Sequence, residues 1–278
     1  MKGKTAVITG ATSGIGAVAA KRLAAMGARI VLIARSRSRG EVALAGLRAV
    51  APGLAHKVHY ADLSKIAEVK RVAATIASEE PRIEVLINNA GAIFANRRVT
   101  EDGLELTFAL NHMAYFIVTD ALHERLLASA PSRIVNTASD AHQGASLDFG
   151  DLQSKQRYSA MKAYGRSKLC NILFTRELAR RLQGTGVTAN CFHPGFAATR
   201  IGDESGGLIS SFAWIAKFFA ISPAKGAETL VHLASSPRVE SVSGGYFYQC
   251  RPISPSPPAQ DDRAALELWE HSVGLAGL

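Results

Sequence analysis

Short apolar runs alternate with longer amphipathic segments along most of the chain, which predicts strands that alternate with helices. The short runs are apolar at consecutive positions, as in strands that are buried on both faces of a sheet. We therefore expect an α/β fold with a doubly wound, mostly parallel sheet flanked by helices. The predicted strands are residues 4–9, 28–34, 56–60, 83–88, 133–138, 186–192 and 244–248, and the predicted helices are residues 14–26, 40–50, 65–79, 101–130, 159–183, 223–235 and 260–272.

The pattern is not divided by any linker rich in Pro, Gly or Ser, so we expect one domain over residues 1–278. Residues 251–258 contain four prolines and are predicted to be a loop, and residues 259–278 form a C-terminal extension. Residues 196–222 include a short apolar stretch and are predicted to be a substrate lid that excludes water. Two other interpretations of this stretch stay open, ordinary core and a segment that dips into a membrane surface.

The composition of the chain argues against a membrane-spanning, a secreted and a nucleic-acid-binding protein. Hydrophobic residues make up 47% and charged residues 20%, which is typical of a globular chain with a core. No run of about 18 apolar residues occurs, so we expect no transmembrane segment, and the first strand leaves no room for a signal peptide. The net charge is +9, but Lys and Arg are scattered rather than clustered with aromatic residues, so we expect no nucleic-acid partner. Three distant cysteines are typical of free thiols in a reducing compartment, which favours a cytoplasmic protein.

A glycine-rich turn follows the first predicted strand and opens the first predicted helix. Gly10 permits the turn, Gly14 lets the backbone approach a pyrophosphate, and Gly16 allows close packing of helix and strand. The helix N-terminus offers N–H groups and a partial positive charge to phosphates. The turn therefore predicts a dinucleotide site that includes Gly10, Thr12, Ser13, Gly14, Ile15 and Gly16.

An acidic residue at the end of the second strand would bind the ribose 2′-hydroxyl of NAD(H), and this chain has none there. It carries Arg35, the first of three closely spaced arginines with Arg37 and Arg39, and Arg35 can bind a 2′-phosphate. We therefore expect NADP(H) to be preferred over NAD(H). Asp62 and Leu63 follow the third strand, where the carboxylate can accept from an adenine amino group. A helix N-cap role for Asp62 or Ser64 explains the pair equally well.

Polar residues suited to proton transfer occur in the second half of the chain. Tyr164 and Lys168 are four residues apart on a predicted helix and therefore share a face. A nearby ammonium favours the phenolate and is expected to lower the pKa of Tyr164, which suits the tyrosine to acid–base chemistry. Ser139 follows the strand 133–138 at the edge where open α/β sheets bind ligands. Asn111 is unfavourable in a helix without a local role, such as a bent helix with a bound water.

Taken together, these residues resemble the short-chain dehydrogenase/reductase family. The resemblance rests on residues 9–16, residues 88–91, the turn 193–195, and the four residues Asn111, Ser139, Tyr164 and Lys168. It implies a Rossmann fold and a catalytic tetrad formed by those four residues. It also implies cofactor contacts from Asn89, Ala90, Gly91, Pro194, Gly195 and Thr199, in addition to Tyr164 and Lys168.

A narrower resemblance links the chain to the retinol dehydrogenase branch of that family. It rests on residues 168–188, with residues 151–154, 157–159 and 243–247. The resemblance implies a small lipophilic aldehyde, ketone or alcohol as substrate, and usually NADP as cofactor. It leaves open assembly as a homodimer or homotetramer and contact with a membrane surface.

We interpret the chain as an NADP(H)-dependent oxidoreductase that transfers a hydride between nicotinamide and such a substrate. Tyr164 is the acid and base, Lys168 tunes it and holds the nicotinamide ribose, Ser139 positions the substrate oxygen, and Asn111 anchors a water. No metal is expected, because the cofactor carries the hydride chemistry. A catalytically silent NADP-binding redox sensor and a ketoreductase for steroids or polyketides remain as alternatives.

Overall fold

The computed structural model describes residues 1–195 and 222–278. Within these ranges one sheet contains β1 (Thr5–Thr9), β2 (Arg29–Ala34), β3 (Lys57–Tyr60), β4 (Val85–Asn88), β5 (Ser132–Thr137), β6 (Val187–Phe192), β7 (Tyr246–Tyr248) and β8 (Arg251–Pro252). The strand order is β3-β2-β1-β4-β5-β6-β7-β8, and every pair is parallel except β7 with β8. The predicted doubly wound, mostly parallel sheet is therefore confirmed.

Helices cover both faces of the sheet. They are α1 (Gly14–Ala25), α2 (Arg37–Val50), α3 (Ile66–Glu79), α4 (Leu106–Phe108), α5 (Ala114–Ala121), α6 (His123–Ala128), α7 (Ala160–Arg181), α8 (Pro223–Ser235) and α9 (Asp262–Ala276). On one face α1 packs on α8, with Leu23 and Leu230 in a common core. On the other face α3, α5 and α7 form the second core, and Trp269 of α9 packs on Phe116 and Phe174 at 5.0 and 5.8 Å between ring centroids.

Three predicted element boundaries are wrong for local reasons. The predicted helix 101–130 begins only at Leu106, because the Glu105 carboxylate accepts hydrogen bonds from the first N–H groups, and a π-helical turn (Ala109–Met113) separates α4 from α5. Helix α2 begins three residues earlier than predicted because Ser36 caps it. The final helix ends at Ala276 rather than 272, followed by Gly277 with φ of +63°.

The predicted loop 251–258 is only partly a loop. Its first two residues form β8 at the edge of the sheet, where a proline is tolerated because one side of an edge strand needs no N–H donor. Its end enters a 3₁₀ turn at Pro257–Gln260.

The predicted lid lies outside the described residues from position 196 to 221, and so does Thr199. Ser222 is described and caps α8, because its hydroxyl accepts a hydrogen bond from Lys225 N at 3.3 Å. No helix in the described ranges is long and apolar enough to cross a bilayer.

Candidate active site

A cavity of about 430 Å³ lies at the carboxyl ends of the parallel strands. The glycine turn, the ends of β2 and β3, and the start of α7 all contribute to its wall. Fifteen of the residues predicted from the sequence line it, namely Gly10, Thr12, Ser13, Gly14, Ile15, Gly16, Arg35, Asp62, Leu63, Asn89, Ala90, Gly91, Tyr164, Lys168 and Pro194. Asn111, Ser139 and Gly195 are not among the lining residues and lie beside the cavity.

The glycine turn has no room for side chains at two positions. Gly10 has φ of +68°, and a Cβ atom there would lie 2.6 Å from the Cα atom of Ala90. A Cβ atom at Gly16 would lie 2.5 Å from both Gly10 O and Asn89 Nδ2. The first turn of α1 carries no acidic residue and Ser13 makes no side-chain cap, so the positive helix end faces the cavity without competition.

Hydrogen bonds between Thr9, the last residue of β1, and the segment after the neighbouring β4 stabilise this turn. The Thr9 hydroxyl accepts hydrogen bonds from Asn89 N at 2.9 Å and Ala90 N at 3.0 Å. The Asn89 side-chain amide donates to Gly10 O at 3.0 Å. Asn89 therefore holds the shape of the turn in addition to lining the cavity. Thr9 was not among the predicted site residues, although a threonine directly before the first glycine is a signal that the sequence offers.

The three closely spaced arginines separate in the structure. Arg35 and Arg39 line the cavity beside the end of β2. Arg37 instead lies over the ring of Tyr60, with 4.7 Å between its guanidinium carbon and the ring centroid. Two of the three guanidinium groups are thus placed where a phosphate can be bound.

Asp62 lines the cavity, and its carboxylate also closes a local turn. One of its oxygens accepts from Ser64 N at 3.0 Å and from the Ser64 hydroxyl at 2.7 Å. The alternative N-cap role is wrong for both residues, because the N-cap position of α3 is Lys65. The first N–H of that helix, at Ile66, is satisfied by the Asp102 carboxylate at 3.0 Å.

Tyr164 and Lys168 lie one turn apart on α7 and are 9% and 2% exposed. The Lys168 ammonium donates to Thr137 O at 3.0 Å and lies 5.6 Å from the centroid of the Tyr164 ring. Desolvation lowers the pKa of Lys168 to about 7. Burial raises the pKa of Tyr164, and the Ser139 hydroxyl opposes this by stabilising the phenolate. The expected lowering of the Tyr164 pKa by Lys168 beside a bound nicotinamide stays a prediction.

Ser139 follows β5 and begins the 3₁₀ turn Asp140–Gly144. Its backbone is extended, with φ of −162°, and its Oγ accepts from Ala141 N at 3.2 Å. The Ser139 Oγ uses one lone pair to accept the Ala141 N–H. The proton of the Ser139 hydroxyl can therefore point at the Tyr164 phenol. The structure thus places together the serine and tyrosine hydroxyls that the sequence suggested.

Asn111 lies in the π-helical turn between α4 and α5. Its side chain accepts from Ala92 N at 2.9 Å, and donates to Ala92 O and to the Ser167 hydroxyl, both at 3.0 Å. These bonds join the loop after β4 to α7. The expected bend at Asn111 takes the form of a π-helical turn, while the water at its backbone stays a prediction.

Asn171 was missed by the sequence analysis. It is fully buried three residues after Lys168, and its side-chain amide donates to Asn111 O at 2.9 Å and to Thr137 O at 3.1 Å. Thr137 O is also the acceptor of Lys168, so one amide contacts the backbone beside two tetrad residues. The available signal was an asparagine on the buried face of an amphipathic helix.

The turn after β6 closes the wall of the cavity at Pro194. Gly195 adopts φ of +80°, and its N–H donates to His193 Nδ1 at 3.3 Å. The His193 ring stacks on Tyr248 with 4.1 Å between centroids, which fixes the start of the turn on β7. Within residues 1–195 and 222–278, no group of three or more His, Cys, Asp or Glu residues has the arrangement of a metal site.

Known proteins are similar to this chain over most of its length. The family model described as short chain dehydrogenase matches residues 4–206. Retinol dehydrogenase 14 of Homo sapiens is 41% identical over 297 aligned residues, which cover 100% of this chain and 88% of the relative.

Two solved structures are also similar to this chain. A protein from Mycobacterium Paratuberculosis has a TM-score of 0.80 and 31% identity, and the alignment covers 99% of this chain and 94% of the other. A short chain dehydrogenase from Burkholderia cenocepacia in complex with NADP has a TM-score of 0.70 and 27% identity, with 88% and 96% covered. The chain therefore belongs to the short chain dehydrogenase family, whose retinol dehydrogenases it resembles, and it is an oxidoreductase acting on CH–OH and C=O groups.

Proposed function

We propose that this chain is an NADP(H)-dependent oxidoreductase that converts lipophilic aldehydes or ketones and the corresponding alcohols into each other. One observation carries the proposal. The strands β2, β1, β4 and β5 are neighbours in this order, and one cavity at their ends is lined by Arg35 and Arg39 after β2, the glycine turn after β1, and Tyr164 with Lys168, whose ammonium bonds to Thr137 O of β5. This order of groups matches the order of parts in NADP(H), from the 2′-phosphate through the pyrophosphate to the nicotinamide.

The residues of the cavity fit this cofactor. Gly10 and Gly16 have no room for a side chain, so the turn keeps a bare backbone at both positions. The N-terminus of α1 adds positive charge for a phosphate. Arg35 and Arg39 suit a 2′-phosphate, and no carboxylate stands at the end of β2 to repel one. The similar structure from Burkholderia cenocepacia is a complex with NADP, which supports the same cofactor here. When bound, NADP(H) supplies or accepts the hydride at its nicotinamide ring.

The tetrad residues divide the proton chemistry among them. Burial raises the pKa of Tyr164, so its phenol keeps a proton at neutral pH and can donate it to a carbonyl oxygen during reduction. Ser139 donates a hydrogen bond to the same oxygen and holds it near the phenol. Lys168 would hold the ribose hydroxyls beside the nicotinamide, and in its charged form it would stabilise the phenolate once the proton has left. Asn111 holds the water through which that proton is replaced.

Alcohol oxidation uses the same groups in reverse and begins with a phenolate at Tyr164. With NADP(H) as the cofactor, we propose reduction as the direction in the cell.

The substrate class is proposed from the relatives. The curated relatives include retinol dehydrogenases, whose named substrate is a long apolar alcohol. Residues 212–221 of this chain are mostly apolar in sequence, which suits a pocket for such a molecule. A cytoplasmic location, assembly as a homodimer or homotetramer, and a lid at residues 196–222 stay predictions.

The cofactor preference is tested by comparing two charge reversals, Arg35→Asp and Arg37→Asp. Arg35 lines the cavity, whereas Arg37 lies over Tyr60 and serves as the matched control. A charge-assisted hydrogen bond contributes about 1.5–3 kcal/mol, so Arg35→Asp should lower kcat/KM for NADPH about 10- to 100-fold relative to NADH. Arg37→Asp should leave the ratio within about threefold of the original protein. Equal ratios in the two variants would show that the 2′-phosphate is held elsewhere.

The reaction is tested with NADPH and a series of aldehydes and ketones of increasing apolar length. We expect NADPH oxidation at 340 nm, with kcat/KM that rises with chain length. NADPH binding without turnover across the whole series would contradict the proposed function.

A further inference from the structure

His142 joins the backbone of Ser139 to the C-terminal part of the chain. It lies in the 3₁₀ turn after β5 and is fully buried. Its Nδ1 atom is 2.7 Å from Ser139 O, and its Nε2 atom is 3.1 Å from the backbone nitrogen of Ser256. The imidazole thus connects the backbone of Ser139, a tetrad residue, with Ser256, which lies 114 residues after His142 in the sequence.

The partners of His142 define its protonation. The Ser256 N–H can only donate, so Nε2 must be the acceptor and carry no proton. The proton of the neutral ring is therefore on Nδ1, which donates it to Ser139 O. Burial lowers the pKa of His142, so the neutral ring that this arrangement needs is favoured.

Tyr246 contacts the imidazole through both its ring and its hydroxyl, which lies 3.5 Å from Nδ1. The Tyr246 ring meets it edge-on, with 5.1 Å between centroids and 77° between planes. On the other side of the turn, a Cβ atom at Gly165 would lie 2.5 Å from Ala141 O. The turn that carries Ser139 is therefore packed directly on α7, one residue from Tyr164.

Among the residues that the structure describes, two N–H groups reach Ser139 O, and both belong to His142. The ring Nδ1 donates at 2.7 Å and the backbone nitrogen at 3.2 Å. These bonds fix the peptide plane after Ser139 and, with the extended φ of −162°, the direction of its Cα–Cβ bond. The position of the Ser139 hydroxyl relative to the Tyr164 phenol consequently depends on His142.

We propose that His142 is a positioning residue that aligns the Ser139 hydroxyl with Tyr164, and that the segment at Ser256 holds the imidazole in the required tautomer. The proposal rests on the function proposed above for Ser139. It assigns the segment 251–258 a part in the active site, although no residue of that segment lines the cavity.

Two variants separate the two hydrogen bonds of His142. In His142→Asn the side-chain amide can donate near the Nδ1 position but cannot reach Ser256. In His142→Gln the amide oxygen can accept from Ser256 N at the Nε2 position, but no side-chain donor of residue 142 faces Ser139 O. A misplaced catalytic group lowers turnover on the order of 100-fold, so His142→Gln should lose about that much kcat and His142→Asn less than about tenfold. The NADPH dissociation constant should change less than about threefold in both.

A second pair of variants perturbs the ring from the other side and leaves His142 in place. Ser256 has φ of −59°, which proline adopts, and Ser256→Pro removes the donor and pushes a Cδ atom against Nε2. Ser256→Ala keeps the N–H and removes only a hydroxyl that has no partner among the described residues. Ser256→Pro should lower kcat about tenfold relative to Ser256→Ala at unchanged NADPH affinity.

The outcomes distinguish this proposal from the proposed function. Equal kcat in His142→Asn and His142→Gln, or in Ser256→Pro and Ser256→Ala, overturns the positioning role. If Ser139→Ala keeps the original kcat, the role proposed for Ser139 is wrong whatever the histidine variants do. If Ser139→Ala is inactive while the paired variants are indistinguishable, only the positioning role falls.

Discussion

Lys168 offers a prediction whose sign and size both follow from its burial. Its side chain is 2% exposed, and desolvation lowers its pKa from 10.5 to about 7. Between these two pH values the unfolded chain keeps the proton and the folded cofactor-free protein has lost it. The free energy of unfolding therefore rises with pH across this window and is lowest, with respect to this group, below pH 7.

The substitution is Lys168→Met, which keeps an unbranched side chain one atom shorter and removes the titrating group. One pKa unit corresponds to about 1.4 kcal/mol, so the full window amounts to a free energy on the order of 5 kcal/mol. The difference in unfolding free energy, Lys168→Met minus original, should be largest at pH 6 to 7. It should shrink by about 1.4 kcal/mol per pH unit above that value. The lost hydrogen bond to Thr137 O adds a constant offset that does not change the slope.

The assay is urea unfolding of the cofactor-free proteins at pH values from 6 to 10, with Lys162→Met as the control. Lys162 lies on the same helix and is exposed, so Lys162→Met controls for the loss of a lysine that is not buried. A flat difference curve for Lys168→Met would refute the claim that Lys168 is desolvated in the folded protein.

Two further predictions concern the frame around the site. Gly16→Ala should raise the NADPH dissociation constant at least about tenfold, because the new Cβ atom meets Gly10 O and Asn89 Nδ2 at 2.5 Å. The control in the fluorescence titration is Gly53→Ala, where the new Cβ atom has no neighbour within 4 Å. Equal NADPH affinities of the two variants would contradict the packing argument. Asn171→Leu removes the donor to two buried carbonyls and should lower the unfolding free energy by about 1–3 kcal/mol, with kcat falling more than the KM for NADPH rises. An unchanged kcat in that variant would mean that Asn171 supports the fold alone.

The sheet and the cofactor-binding turn could be predicted from the sequence because their signals are local. Strands buried on both faces appear as apolar runs, and β1, β2 and β5 were found within about two residues on that basis. The turn after β1 requires glycine for steric reasons, as the contacts at Gly10 and Gly16 demonstrate. Tyr164 and Lys168 could be paired because helical spacing alone puts them on one face.

The parts that were missed depend on contacts between residues far apart in the sequence. Asn171 contacts Asn111 across 60 positions, and His142 contacts Ser256 across 114. The raised pKa of Tyr164 follows from burial, which tertiary packing sets. The sequence predicts one long helix through Asn111, where the structure has a π-helical turn. The spacing of apolar residues does not distinguish a regular α-helix from one that contains an inserted residue.

The central claim is that the Tyr164 phenol transfers the proton while the cavity around it binds NADP(H). The direct measurement compares Tyr164→Phe with the original protein in two experiments, NADPH binding by fluorescence titration and single-turnover reduction of an apolar aldehyde. We expect a dissociation constant within about threefold of the original and a reduction rate lower by about 10²- to 10⁴-fold, the range that general acid catalysis contributes. A reduction rate close to the original at saturating NADPH would contradict the central claim.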